Sequence, residues 1–434
     1  MSRRLYMCAT AIVVSLGLIP ALTTARNSFT TYADVQHLLP FLKDVLPPEL
    51  NSSQAWTDWI TQHDSDIRQR LLRGDEDTII NWLLFGTTFT QSQVVSRRVR
   101  DFIDALAVPK PSERALFARR LLEGRGFRFN TRDERTKLER HLLAEVDRVV
   151  SERRQYAARE DGFQKGDLIG QVMVESTLFR DRGLSLDTSI LASFAIEQAL
   201  QAMKDDRLLP PNSIRRIAII GPGLDFADKN TGYDFYPLQT MQPFTSIDSI
   251  VRHGLAANAR DVEITTFDIS PQVNDHIQAI KGNSYTLRLP INPVERWTSS
   301  LMSYWKSMGD RIGKETLLPK SSASPGKAVE LRAVAVRPEV AGRITPMDFN
   351  IVTEKWTGPP FDLVIATNVF VYYDKLDQSL AFAGIEGMLR PGGFFLTNNV
   401  IVELPVSRLR SVGLMTVRHS VEKIDHMFWY RRNP

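Results

Sequence analysis

Cysteine is almost absent: Cys8 is the single one among 434 residues, and it lies in an apolar stretch near the start. A chain that loses this stretch has none, which excludes disulfide scaffolding, thiolate catalysis and cysteine-held metals. A surplus of one charge is missing too. Lys plus Arg number 54 against 50 Asp plus Glu, a net of +4, with the two signs mixed along the chain. That balance leaves no electrostatic footprint for nucleic acid. There is no internal repeat and no compact Gly-x-Gly-x-x-Gly fingerprint. Apolar residues are present in ordinary measure, 43%. They suffice for a folded chain of two or three domains.

Residues 1–25 stand apart. Arg3 and Arg4 precede an apolar stretch over residues 5–22, broken by Pro20, and small residues follow to Ala25. This layout predicts a signal peptide or an uncleaved membrane anchor. The expected location is periplasmic, secreted or anchored to the membrane by the N-terminus. It becomes cytoplasmic if the first Met is misassigned. Cleavage after Ala25 removes Arg3 and Arg4 and lowers the net charge from +4 to +2.

Residues 34–205 read as a helical domain or cap. Leu138, Leu142, Val146 and Val149 form a one-sided stripe. Asp75, Glu76 and Asp77 before an apolar run predict a helix start, and Gly86 a stop. Residues 94–107 make another helix, and Ser112 with Glu113 opens the next. Two arginines, Arg180 and Arg182, flank Asp181 beside Gly183. They belong either to a surface network or to a segment that closes over a ligand.

Residues 210–434 read as an α/β domain. Ile217, Ala218, Ile219 and Ile220 run into Gly221-Pro222-Gly223. A strand apolar on both faces, then a turn that lets a ligand approach the backbone, is the start of a nucleotide-binding unit. A second β-rich run, residues 262–267, closes with Asp268. An acid there accepts hydrogen bonds from ribose hydroxyls, or caps the helix that begins near Pro271. A helix is expected over residues 246–255. Residues 281–327 interrupt the alternation with a local net charge of +5, as a lid, an acidic-substrate surface or a plain insertion. Residues 331–336 and 342–345 have strand character, and Asp348-Phe349 follows. Another strand over residues 360–368 leads into Val369 and the aromatic pair Tyr372 and Tyr373. After a helix over residues 375–388 come Pro391-Gly392-Gly393, a strand, and a terminal antiparallel pair.

Residues 361–369 (FDLVIATNV) and 388–394 (MLRPGGF) carry a family resemblance. From residue 214 to 431 the chain resembles the class I S-adenosylmethionine-dependent methyltransferases; residues 1–200 resemble no such family. The resemblance implies a Rossmann-like, mostly parallel sheet with a terminal antiparallel strand, preceded by the helical domain. It implies S-adenosyl-L-methionine as cofactor. Gly221 and Gly223 would lie against its methionine part, and Asp225 would bond its amino group. Asp268 would take the ribose hydroxyls, Asp348 and Phe349 the adenine, and Asn368 and Val369 would lie beside the methyl group. Tyr372 and Tyr373 would wall the substrate pocket. No metal is implied and no catalytic base declares itself.

Two spacings depart from the family: Asp268 follows Gly223 by 45 residues, and Asp348 follows Asp268 by 80. Asn-Pro-Pro-Tyr, common where planar amino nitrogens are methylated, is absent after the fourth strand. A small-molecule acceptor is therefore expected rather than a nucleic acid. An NAD-dependent oxidoreductase and a noncatalytic nucleotide-binding or assembly protein are the alternatives. Residues 226–245 are expected to fold back over the cofactor.

Overall fold

The computed structural model describes residues 28–85, 92–161, 182–186, 188–227, 234–281, 283–293, 296–318 and 329–434. The expected signal or anchor, residues 1–25, lies outside them. No described helix is long and apolar enough to cross a membrane.

One seven-stranded sheet organises the molecule. Its strands are β1 (Arg216–Ile220), β2 (Glu263–Asp268), β3 (Ile344–Asp348), β4 (Phe361–Ala366), β5 (Leu389–Thr397), β6 (Leu409–Arg418) and β7 (Ile424–Arg432), in the spatial order β6-β7-β5-β4-β1-β2-β3. The first five run parallel to one another. β7 is antiparallel to both β5 and β6. This is the expected Rossmann-like methyltransferase architecture. The strand order reverses between β1 and β4, and the crevice outside their carboxyl ends is where such sheets bind ligands.

Alternation along the strands explains why the sheet is covered on both faces. Ile217, Ile219, Ile264, Leu363 and Ile365 enter one core cluster, and Ala218, Ile220, Phe267, Val364 and Ala366 the other. All ten are buried, as strands between two helical layers require.

The longer helices among the described residues are α1 (Ser53–Phe85), α2 (Val95–Ala107), α3 (Glu113–Gly124), α4 (Arg132–Asp161), α5 (Leu191–Asp205), α6 (Gln242–Arg252), α7 (Pro271–Ile280), α8 (Ser299–Ser307) and α9 (Lys375–Met388). α9 has the expected bounds, with the Asp374 side chain accepting from the Asp377 N–H as N-cap. The Ser112 side chain caps α3 through the Ala115 N–H.

Some of these expectations need correction and others gain detail. The helix start at Asp75 to Asp77 lies inside α1. These acids are not caps: buried Glu76 binds Arg125 and His141, and buried Asp77 binds Arg148. The helix expected over residues 246–255 begins four residues earlier, at Gln242, because Pro243 fits its first turn. The strand expected at residues 331–336 is present, in a separate three-stranded sheet of Tyr285–Pro293, Gly313–Thr316 and Val329–Val336. The interruption at residues 281–327 is thus a folded unit extending to Val336, with Tyr304 and Trp305 buried. Residues 226–245 contain a hairpin arm, Asp234–Gln239 against Asp225–Ala227, and the start of α6. None of their described residues lines the main cavity.

Candidate active site

β1 delivers Gly221 and Gly223 to the crevice with φ of 61° and 62°, a region open to glycine at no steric cost. Both are also places of close approach. A Cβ on Gly221 would stand 2.8 Å from Val369 Cγ2, and one on Gly223 2.9 Å from the Leu186 carbonyl oxygen. The Gly221 N–H donates to the Phe267 carbonyl at 2.8 Å, fixing the loop to the end of β2.

β2 ends in Asp268, whose Oδ1 accepts the Ser270 N–H at 2.8 Å. Burial pushes this carboxyl up to about 7, against the backbone N–H groups of Ser270 and Gly223, and the Asp348 charge adds to the rise. β4 opens into Thr367-Asn368. Asn368 is left-handed, with φ of 59°, a conformation asparagine tolerates better than most. Its N–H donates to Asn398 Oδ1 at 2.8 Å, and its Oδ1 accepts from Asn398 Nδ2 at 2.7 Å. This asparagine pair joins the loops after β4 and β5.

These loops enclose a cavity of about 290 Å³. Gly221, Gly223, Asp268, Phe349, Asn368, Val369, Tyr372 and Tyr373 line it together. The buried Phe349 ring packs against Phe267, with centroids 4.8 Å apart. Tyr373 is buried, and desolvation holds its hydroxyl well above the ordinary value.

Asp225 and Asp348 are outside the lining. Asp225 is buried beneath the loop, where its Oδ2 accepts the Met241 N–H at 2.9 Å. Burial raises its pKa well above the carboxylate range. Asp348 stands beside Asp268 in the sheet register. Its Oδ1 is held by Arg68 Nη1 of α1 at 2.7 Å.

The helical part supplies further walls: Leu71 of α1, which sequence reading did not assign, and the strap residues Leu184, Ser185, Leu186, Thr188 and Ser189, in and just after the segment that the sequence offered either as a surface network or as closing over a ligand. The strap pairs with the glycine loop. The Leu224 N–H donates to the Leu186 carbonyl at 2.7 Å, and the Thr188 N–H to the Leu224 carbonyl at 3.1 Å. Gly183 was the available signal, because a Cβ there would stand 2.2 Å from the Gly74 nitrogen. Leu71 gave none; it reads as one more apolar residue of a helix.

Fold and cavity define an α/β protein of the methyltransferase architecture with a cavity at the switch point of its sheet. No protein-family model matches the chain. Over 67 residues it is 33% identical to a chemotaxis protein methyltransferase of Klebsiella aerogenes, covering 15% of this chain and 23% of that protein. The chain therefore spans less than a quarter of the length of the curated relative it matches. Among solved structures it is similar to the N-methyltransferase NodS from Bradyrhizobium japonicum WM9 in complex with S-adenosyl-L-homocysteine. The identity is 12%, the coverage 61% of this chain and 98% of that one, and the TM-score 0.30. It is also similar to magnesium protoporphyrin IX methyltransferase (ChlM) from Synechocystis PCC 6803 with bound SAM. There the identity is 7%, the coverage 64% and 90%, and the TM-score 0.27.

Proposed function

We propose that this chain is an S-adenosylmethionine-dependent methyltransferase acting on a small molecule. The observation that carries the reading is the cavity itself, where Gly221, Gly223, Asp268, Phe349, Asn368 and Val369 converge from four parallel strand ends. The donor set fits the cofactor. Two glycines leave the space a side chain would fill, a carboxylate faces the cavity, and an aromatic ring stands at the β3 end. When bound, the cofactor supplies a methyl group already activated by its sulfonium.

What remains for the protein is placement and exclusion of water. Gly221 and Gly223 admit the methionine part to the backbone. The Asp268 carboxylate would accept from the ribose hydroxyls, and Phe349 would supply the aromatic surface for the adenine. Asn368, pinned by Asn398, fixes the loop beside the methyl group. Tyr372, Tyr373, Leu71 and Leu184 wall the acceptor side with mostly apolar surface.

Titration calorimetry with S-adenosylhomocysteine and, separately, NAD tests the reading. Saturable binding of the first and none of the second is expected. Binding of NAD alone, or of neither, overturns it.

A further inference from the structure

A second cleft lies at the opposite, amino-terminal edge of the parallel strands. Its volume is about 610 Å³, and its lining includes Arg207, Leu209, Asp362, Arg390, Phe394 and Arg431. Three arginines and Asp362 thus line it, together with Asn433 and Pro434. The carboxylate is engaged: Asp362 Oδ1 accepts from Arg390 Nε at 2.5 Å, and Oδ2 accepts the N–H groups of Arg215 and Arg216, each at 2.9 Å. Arg207 and Arg431 have no carboxylate partner among the described residues; Arg431 lies over the Phe394 ring at 5.7 Å.

Two backbone features point the same way. Gly392 has a φ of 76°, and the place its Cβ would occupy lies 3.6 Å from Arg390 Nη1 and 3.8 Å from Arg431 Nη2. Two guanidinium groups therefore flank one bare turn, Arg390 paired with Asp362 and Arg431 with no carboxylate partner among the described residues. Arg207 is the residue just past the end of α5. It closes the helix with paired bonds, Arg207 N–H to the Lys204 carbonyl and Leu208 N–H to the Met203 carbonyl, both at 2.9 Å. That left-handed position belongs to glycine in most helices. Here it holds an arginine with φ of 59°, at a steric cost glycine would not carry. Non-glycine residues held in such regions cluster at functional sites. Asn368, in the main cavity, is another.

We propose that this cleft is a second binding site, for a small molecule that carries a phosphate beside an apolar group. Arg390 and Arg431 present planar donor forks suited to phosphate oxygens, and Leu209 and Phe394 offer apolar surface to the attached group. The proposal stands apart from the methyltransferase reading, since the two sites occupy opposite edges of the sheet.

Titration of the full chain with phenyl phosphate and with inorganic phosphate, at low salt, tests it. Wild type binds phenyl phosphate saturably and at least about tenfold more tightly than inorganic phosphate. Arg431→Ala and Arg207→Gly each weaken phenyl phosphate binding about tenfold or more, and added salt weakens it in all forms. Arg207→Gly also unfolds at a higher temperature than wild type, because glycine relieves the cap, so its lost affinity is not damage to the fold. Absence of saturable binding to wild type, or full affinity in Arg207→Gly, overturns the proposal.

Discussion

On the proposed reading, two residues decide whether the cavity holds S-adenosylmethionine. Gly221 combines a positive φ with a neighbour 2.8 Å from its absent Cβ. Gly221→Val therefore adds backbone strain and overpacking, each about 1–3 kcal/mol. S-adenosylhomocysteine affinity should fall by about 100-fold or more, measured by calorimetry; unchanged affinity would place the site elsewhere. Asp268 brings a pH dependence. Its carboxyl is raised from 3.8 to about 7, so the folded protein holds a proton that the unfolded chain releases. This group's contribution to stability is present at low pH and declines as pH climbs from about 4 through 7. On the proposed reading, ligand binding runs the other way, since ribose hydroxyls would donate to the carboxylate form. Affinity should rise as pH climbs through about 7 and level off above it. Asp268→Asn should bind more weakly and lose that rise; an unaltered pH profile in the variant would assign the titration to another group.

Among the elements, α1 explains how the helical part reaches the site. Its 33 residues extend about 50 Å. Its early residues Trp56, Ile60 and Ile67 belong to the core on one face of the sheet, and its late residues Ile79, Trp82 and Leu83 to the core on the other. The helix thus crosses the carboxyl ends of the strands, and its contacts at the crossing are specific. Arg68 binds Asp348, Asp64 and Glu354. Arg70 Nη2 donates to the Tyr372 carbonyl at 2.7 Å. A Cβ on Gly74 would stand 1.8 Å from the Leu184 carbonyl oxygen. Alanine in an open helix interior is worth about 1 kcal/mol over glycine. At Gly74 the sign should invert: Gly74→Ala should lower stability by about 1–2 kcal/mol, because the strap must yield. Gly387 in α9 has nothing within 4 Å of its Cβ position and serves as the control, with Gly387→Ala neutral or stabilising. Denaturant melts of the pair check this, and a stabilised Gly74→Ala would show the crossing to be loose. Sequence reading missed this crossing for a physical reason. Asp75, Glu76 and Asp77 look like a helix start, and only partners from α4 and the turn after α3, Arg148, His141 and Arg125, make them interior residues.

At the scale of the molecule, the sheet and the strand-end part of the cavity were legible because strand ends carry local signals: apolar runs, glycines, and acids at fixed strand termini. The α1 part of the covering layer was not legible, because Leu71 acquires its place only through long-range packing. Asp225 shows the limit of motif reading. It sits in the expected loop, but the chain turns it inward to the Met241 N–H. The two halves named from sequence, residues 34–205 and 210–434, are also less separable than their composition implies. One continuous core joins Trp82, Phe102, Leu142 and Phe194 to Ile217, Ile264, Leu363 and Leu396. α5, buried along most of its length, packs on α6 and on the β6–β7 pair. Residues 210–434 made alone should leave that apolar face bare, and an exposed patch of this kind drives association. The fragment should aggregate or lack a cooperative melt and fail to bind S-adenosylhomocysteine. Co-expression with residues 28–207 should restore a soluble complex that binds. Size-exclusion chromatography and calorimetry read both outcomes. A monomeric, cooperatively melting fragment 210–434 with full affinity would instead make the helical half a detachable cap, and would reduce the α1 crossing to a contact the site does not need.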